Sequence, residues 1–261
     1  MDGLLLASGA LTGFIVGMTG VGGGALMTPI LLLGFGTAPV TAVGTDLWFA
    51  ATTKLAVSGL HVRRGLIDWP IVHRLWMGSL PASALALGWM ARYPGQDGRT
   101  GVVRSAVALA VCLTAATLLT SRLRGPGGWP RRLTMPVRQG RETVPTIAAG
   151  GALGALVTLT SVGAGALGAV ALVHLYPTRL APVRLVATDI AHAVPLALCA
   201  GVGYLAIGEV DGALLRDLLV GSIPAALLGA ALSSRVPQAL LRVALGLVLL
   251  AVGLTMIAGA R

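Results

Sequence analysis

Charge is what this chain has least of. Of its 261 residues only 11% carry a charged side chain, where a soluble domain averages about 25%. Aromatic residues make up 4% and cysteines number two. Cys112 and Cys199 lie in separate apolar runs with no CxxC or Cys/His cluster. A disulfide framework and a structural zinc site are therefore both excluded as expectations. No Gly-x-x-x-x-Gly-Lys-Ser/Thr segment occurs, so the chain has no phosphate-binding loop of its own for an ATP motor. The 37 glycines follow no Gly-X-Y period, which excludes collagen, and their leucine, valine and alanine neighbours exclude disorder. What remains is apolar. With 56% hydrophobic residues and a mean hydropathy of +0.87, the composition predicts an all-α integral membrane protein that crosses the bilayer many times.

The few charges are mostly arginine. Nineteen basic residues, of which Lys54 is the one lysine, face nine acidic ones, for a net charge of +10. In a soluble protein that excess would suggest nucleic acid. Here the arginines sit in short segments between long apolar runs, which is the positive-inside pattern of membrane topology, so no nucleic-acid partner is expected. Asp2 and the absence of a basic segment before the first apolar run argue against a cleaved signal peptide. The expected location is a bacterial inner (plasma) membrane, crossed several times, with the lipid bilayer as the principal partner.

Charge-free or nearly charge-free runs mark about eight segments, four before residue 123 and four after residue 142. Between them Arg122, Arg124, Arg131, Arg132, Arg138 and Arg141 alternate with glycine and proline. The chain thus divides into a first transmembrane repeat (1–122), a basic cytoplasmic linker (123–142) and a second transmembrane repeat (143–261). The loop with Arg63 and Arg64 is two crossings from the linker and should share its side; the arginines at 92, 99 and 104 conflict with a simple alternation.

The halves repeat each other. Gly13–Leu26 (GFIVGMTGVGGGAL) aligns with Gly154–Leu167 (GALVTLTSVGAGAL), and Ala38–Asp46 (APVTAVGTD) with Ala181–Asp189 (APVRLVATD). Gly65, Asp68, Gly78, Ser79, Pro81 and Ala82 recur as Gly208, Asp211, Gly221, Ser222, Pro224 and Ala225. Two homologous four-segment repeats follow. The first element of each is anomalous: Leu4–Phe35 would make a helix about 48 Å long, too long for one crossing and too short for two. Glycines at its middle predict a broken helix or a re-entrant hairpin. A full crossing would make the halves parallel, and a hairpin would make them inverted; the sequence leaves both open.

A helix broken at mid-membrane presents free N–H groups and a partial positive charge, and glycine lets a ligand approach them. Gly22, Gly23 and Gly24 in one half and Gly163 and Gly165 in the other are candidates to cradle an oxyanion; close helix packing through small residues is the competing explanation. Thr45 and Thr188 could donate hydroxyls to the same ligand or bond back to their own helix. Asp46, Lys54 and Asp189 are charges within predicted spans, and His192 lies one turn from Asp189 on the same face. A carboxylate in hydrocarbon costs about 3 kcal/mol on insertion scales, so these groups should face a cavity or each other. Asp46 and Asp189 are candidate substrate ligands, and Asp189, His192 and Lys54 candidate proton carriers. The same carboxylates would also suit a cation or metal-ion transporter or channel. Asp68 and Asp211 read as helix N-caps, and Trp48 as a residue deep enough to line a pathway. An intramembrane serine protease using Ser161 and His192 lacks a Gly-x-Ser-x-Gly elbow, so no catalytic residue, metal or cofactor is expected.

The ordered blocks Val21-Gly22-Gly23-Gly24, Pro29, Pro39, Ala42-Val43-Gly44-Thr45 and Arg64-Gly65-Leu66-Ile67-Asp68-Trp69 resemble the TauE/SafE family of membrane anion transporters, over about residues 4–255. The resemblance implies a secondary transporter of a small anion, a sulfur oxyanion or an organosulfonate, with protons as a candidate coupling ion. The chain departs from the family pattern at Asp46 and Asp189, where a neutral serine or asparagine is common. The oligomeric state stays open, with a homodimer among the options.

Overall fold

The computed structural model describes residues 3–19, 24–62, 65–92, 96–122, 142–177, 179–232 and 238–258. The linker at 123–141, together with Gly22, Gly23, Arg63 and Arg64, lies outside them. The described residues form ten α-helices and no strand: α1 (Gly3–Thr19), α2 (Gly24–Gly34), α3 (Pro39–Val62), α4 (Trp69–Arg92), α5 (Gln96–Arg122), α6 (Thr143–Thr160), α7 (Ala166–Leu175), α8 (Pro182–Ala206), α9 (Gly212–Leu232) and α10 (Gln238–Ala258). Stretches of α5, α6, α8, α9 and α10 are long and apolar enough to cross a membrane. The helix α3 has 24 residues, a length of about 36 Å, but carries Asp46 and Lys54 in its interior.

Ten helices replace the eight anticipated segments because the first element of each half divides. In the second half the division is visible residue by residue. Ser161 caps α6 in the left-handed conformation at φ 56°, and Gly163 and Gly165 follow at φ 117° and 131°, a region that glycine enters without a side-chain clash. The chain then returns. The Tyr176 hydroxyl, just past α7, lies 2.7 Å from Thr146 Oγ1 in the first turn of α6. The two arms therefore form a hairpin whose open end is at the linker face, although α6 alone is long enough to span. In the first half Leu5 of α1 packs in one apolar cluster with Met27 and Leu31 of α2, so that arm also turns back.

The helix directions follow from residue-level contacts. Gly9, Gly13 and Gly17 of α1 meet Leu218, Ser222 and Ala226 of α9 in ascending order, and Gly150 and Gly154 of α6 meet Leu75 and Ser79 of α4. Both pairs run parallel. Trp48 and Thr41 of α3 meet Gly201 and Glu209 in descending order, so α3 and α8 are antiparallel. Gly246 and Gly253 of α10 meet Leu119 and Cys112 of α5, again antiparallel. Each cross-half pairing has its counterpart: α1 with α9 and α6 with α4, α3 with α9 and α8 with α4.

The glycines of these seams are set by distance. A Cβ on Gly154 would stand 2.2 Å from the Ser79 carbonyl oxygen, and one on Gly13 would stand 2.4 Å from that of Ser222. Both obstacles are backbone and cannot rotate away. Gly154→Ala is expected to destabilise by about 1–3 kcal/mol through overpacking, read as a lower melting temperature in detergent. Gly88→Ala in α4, where a Cβ meets nothing within 4 Å, should leave it unchanged or raised. Equal melting of the two variants would refute the tight seam.

Candidate transport site

The start of α2 meets the turn between α6 and α7. A Cβ on Gly24, at the start of α2, would stand 1.9 Å from the Ser161 carbonyl oxygen, and Thr28 Oγ1 lies 3.5 Å from the Thr160 carbonyl oxygen. Gly24 thus serves the close approach of one tip to the other, while Gly163 and Gly165 serve the turn itself.

The buried charges gather around this junction. Asp46 is 0% exposed, Asp189 3%, Lys54 5% and His192 1%. Asp46 Oδ2 accepts a hydrogen bond from the Thr28 hydroxyl of α2. Ser161, on the opposite tip, stands beside the same carboxylate. Lys54 reaches across from α3 and donates to the Ala164 carbonyl oxygen of the second tip at 2.9 Å, within electrostatic range of both carboxylates and of His192. Asp189 Oδ1 lies 2.0 Å from where a Cβ on Gly168 would be, which presses the carboxylate against the first turn of α7. There the Gly168 N–H donates to the Gly163 carbonyl oxygen at 3.1 Å, and the helix end is electropositive. Asp46 Oδ1, Asp189 Oδ1 and Ser161 Oγ are buried without a hydrogen-bond partner, and Lys54 uses one of its three donors. Buried polar atoms are paired as a rule, so this unused capacity makes the junction the candidate site.

Several sequence-derived residues stand elsewhere. Thr45 and Thr188 neither bond back to their own helix nor reach the tips: Thr45 Oγ1 accepts the Asp211 N–H at 3.0 Å, and Thr188 Oγ1 accepts the Asp68 N–H at 3.1 Å. Each clasps the other half's helix start. His192 does not bond Asp189; its Nε2 lies 3.0 Å from Ser79 Oγ of α4, and Trp76 Nε1 donates to its carbonyl oxygen. Asp211 caps α9 by accepting from Ala213 and Leu214. Asp68 does more than cap, because Arg179 donates to both of its oxygens at 2.9 and 3.0 Å. Trp48 donates to the Gly201 carbonyl oxygen and fills the α3–α8 contact. Thr28 and Ser161 join the candidate site beside Asp46, and the sequence did not single them out for this purpose. Ser161 had a signal: it replaces Gly20 of the first half, and it is the one non-glycine at positive φ among the described residues. A serine held where glycine is easier points to use of its hydroxyl. No cluster of three or more metal-ligating side chains occurs among the described residues.

The family model described as sulfite exporter TauE/SafE matches residues 5–256. The probable membrane transporter protein YjnA of Bacillus subtilis (strain 168) is 35% identical over 220 residues, covering 82% of this chain and 84% of the relative. A second Bacillus subtilis probable membrane transporter, YunE, is 30% identical over 84 residues, 31% of each chain. A probable membrane transporter of Xylella fastidiosa (strain 9a5c) is 26% identical over 103 residues, 40% of each. No solved structure matches. The extent of the family match, joined to a polar junction buried among apolar helices, places the chain in the TauE/SafE family, as a membrane transporter and not an enzyme.

Proposed function

We propose that the chain carries a small anion, a sulfur oxyanion or organosulfonate, through a bacterial inner membrane, with protons as the coupling ion. In this reading α3, α4, α5, α8, α9 and α10 cross the bilayer. The hairpins α1–α2 and α6–α7 enter from opposite faces as inverted repeats, with the arginine-rich linker in the cytoplasm. The observation that carries it is Lys54, the chain's one lysine, buried and bonded to the second hairpin tip at Ala164. An ammonium beside exposed helix starts favours an anion. The two carboxylates suit a cation in isolation, but Lys54 repels a second positive charge from the same junction.

The carboxylates supply the coupling. Asp189 occupies the electropositive start of α7, the place a substrate anion would take. A proton on Asp189 removes the competing charge, and one on Asp46 does the same beside Thr28 and Ser161. Substrate and proton then move together. His192, turned toward Ser79, adjoins this relay one turn away. The test is a panel of labelled sulfite, sulfonates and small carboxylates offered to proteoliposomes with and without an imposed pH gradient. Gradient-driven accumulation of a sulfur anion is expected; failure of every member to move would sink the reading.

A further inference from the structure

Among the described residues, Arg74 and Arg179 tie the halves together at the linker face and Arg99 does so at the opposite face; the guanidinium edges of Arg179 and Arg99 are not equivalent. At the linker face Arg179 presents its Nε–Nη2 edge to Asp68, and both donors are used at 2.9 and 3.0 Å. At the opposite face Arg99, in the first turn of α5, is 9% exposed. Its Nη1 donates to the Met90 carbonyl oxygen at 3.2 Å. Its Nη2 lies a loose 3.6 Å from Glu209 Oε1, and its Nε–H has no partner. A buried guanidinium whose Nε–Nη2 edge makes one loose ion pair and leaves Nε–H unpaired is a fork that its carboxylate fills only in part.

Glu209 stands at this fork. Its Oε2 accepts from the Thr41 hydroxyl of α3 at 2.8 Å. Its backbone is fixed: the N–H donates to the Tyr204 carbonyl oxygen at 2.9 Å, and its own carbonyl oxygen sits so close to Gly44 that a Cβ there would be 2.2 Å away. Glu209 side-chain exposure is 19%, so the carboxylate borders solvent while its anchor does not move. Rotation about the side chain alone would vacate the fork.

We propose that Arg99 and Thr41 form an anion-binding site at the face opposite the linker, occupied in the resting protein by the Glu209 carboxylate. The ligand class is a small oxyanion with two oxygens for the Nε–Nη2 edge and a third acceptor for the Thr41 hydroxyl, the shape of a sulfate or sulfonate head. The ligand class rests on the anion-carrier reading, but the site is separate from the tips. Glu209 acts as a built-in competitor that an arriving anion displaces.

Inorganic sulfate titrated into the purified full chain in detergent, followed by calorimetry, tests this. Glu209→Ala is expected to bind sulfate at least tenfold more tightly than the unaltered protein, and Glu209→Gln, which keeps a Thr41 partner, to show a smaller gain. Adding Arg99→Lys, which keeps the charge but loses the fork, should cancel the gain. Adding Lys54→Met should leave it. No gain in either Glu209 variant, both melting normally, overturns the site. So does a gain that survives Arg99→Lys, or one that disappears with Lys54→Met. Proteoliposomes that fail to move any anion would refute the carrier reading without touching these titrations.

Discussion

Lys54→Met is expected to lower substrate flux in proteoliposomes by about 10- to 100-fold, because a hydrogen bond to a charged group contributes about 1.5–3 kcal/mol. The variant loses two things together. The ammonium that attracts the anion is gone, and so is the bond that ties α3 to the second hairpin tip at Ala164. Lys54→Arg separates them. It keeps the charge, so flux should partly return with an altered KM, since the planar fork cannot reproduce a point ammonium in a site only 5% exposed. The methionine variant also keeps an unbranched apolar stem, so its melting temperature should stay near that of the unaltered chain. Full flux in Lys54→Met would remove this residue from the site. The repeat-equivalent position is Ala197, so the proposed site holds one ammonium and not two.

The second large effect concerns coupling. The double variant Asp46→Asn, Asp189→Asn has no carboxylate at the tips. Exchange of labelled for unlabelled anion at equal concentrations should persist, because the asparagines place no negative charge against the substrate. Accumulation driven by a pH gradient should vanish. One pH unit supports about a tenfold accumulation per coupled proton, so the loss is read directly from the plateau of uptake. Gradient-driven accumulation that survives in the double variant would show that neither carboxylate carries the proton.

The sequence reading and the structure part company at particular residues. Asp46, Lys54 and Asp189 were legible because a charge within an apolar span needs a reason, wherever its partner lies. The break after Thr160 was legible because clustered glycine does not extend a helix. The direction taken after the break was not. Hydropathy scores α6 as a span, and only the contact between Tyr176 and Thr146, side chains on separate arms, shows the return. The cross-half ties were hidden for a similar reason. Asp68 finds Arg179 across 111 positions, and no local spacing signals such a pair. Thr45 and Thr188 misled because both are buried threonines next to a candidate aspartate, while their oxygens serve helix starts of the opposite half. Among the described glycines of the proposed cradle, Gly24 allows a close approach, while Gly163 and Gly165 supply backbone conformation.

The seams that join α1 to α9 and α6 to α4 also dictate an order of assembly. Each glycine-lined groove in one half is filled by a helix from the other. When α1 enters the bilayer its partner has not been synthesised, and it must wait in lipid until α9 follows almost everything else. The first half is thus an unfinished object, stable enough to insert but lacking the surface that closes it. Severing the chain within 123–141 after folding should leave the two fragments clasped, and fragments made separately in one membrane should find each other, because what holds this protein together is not its linker.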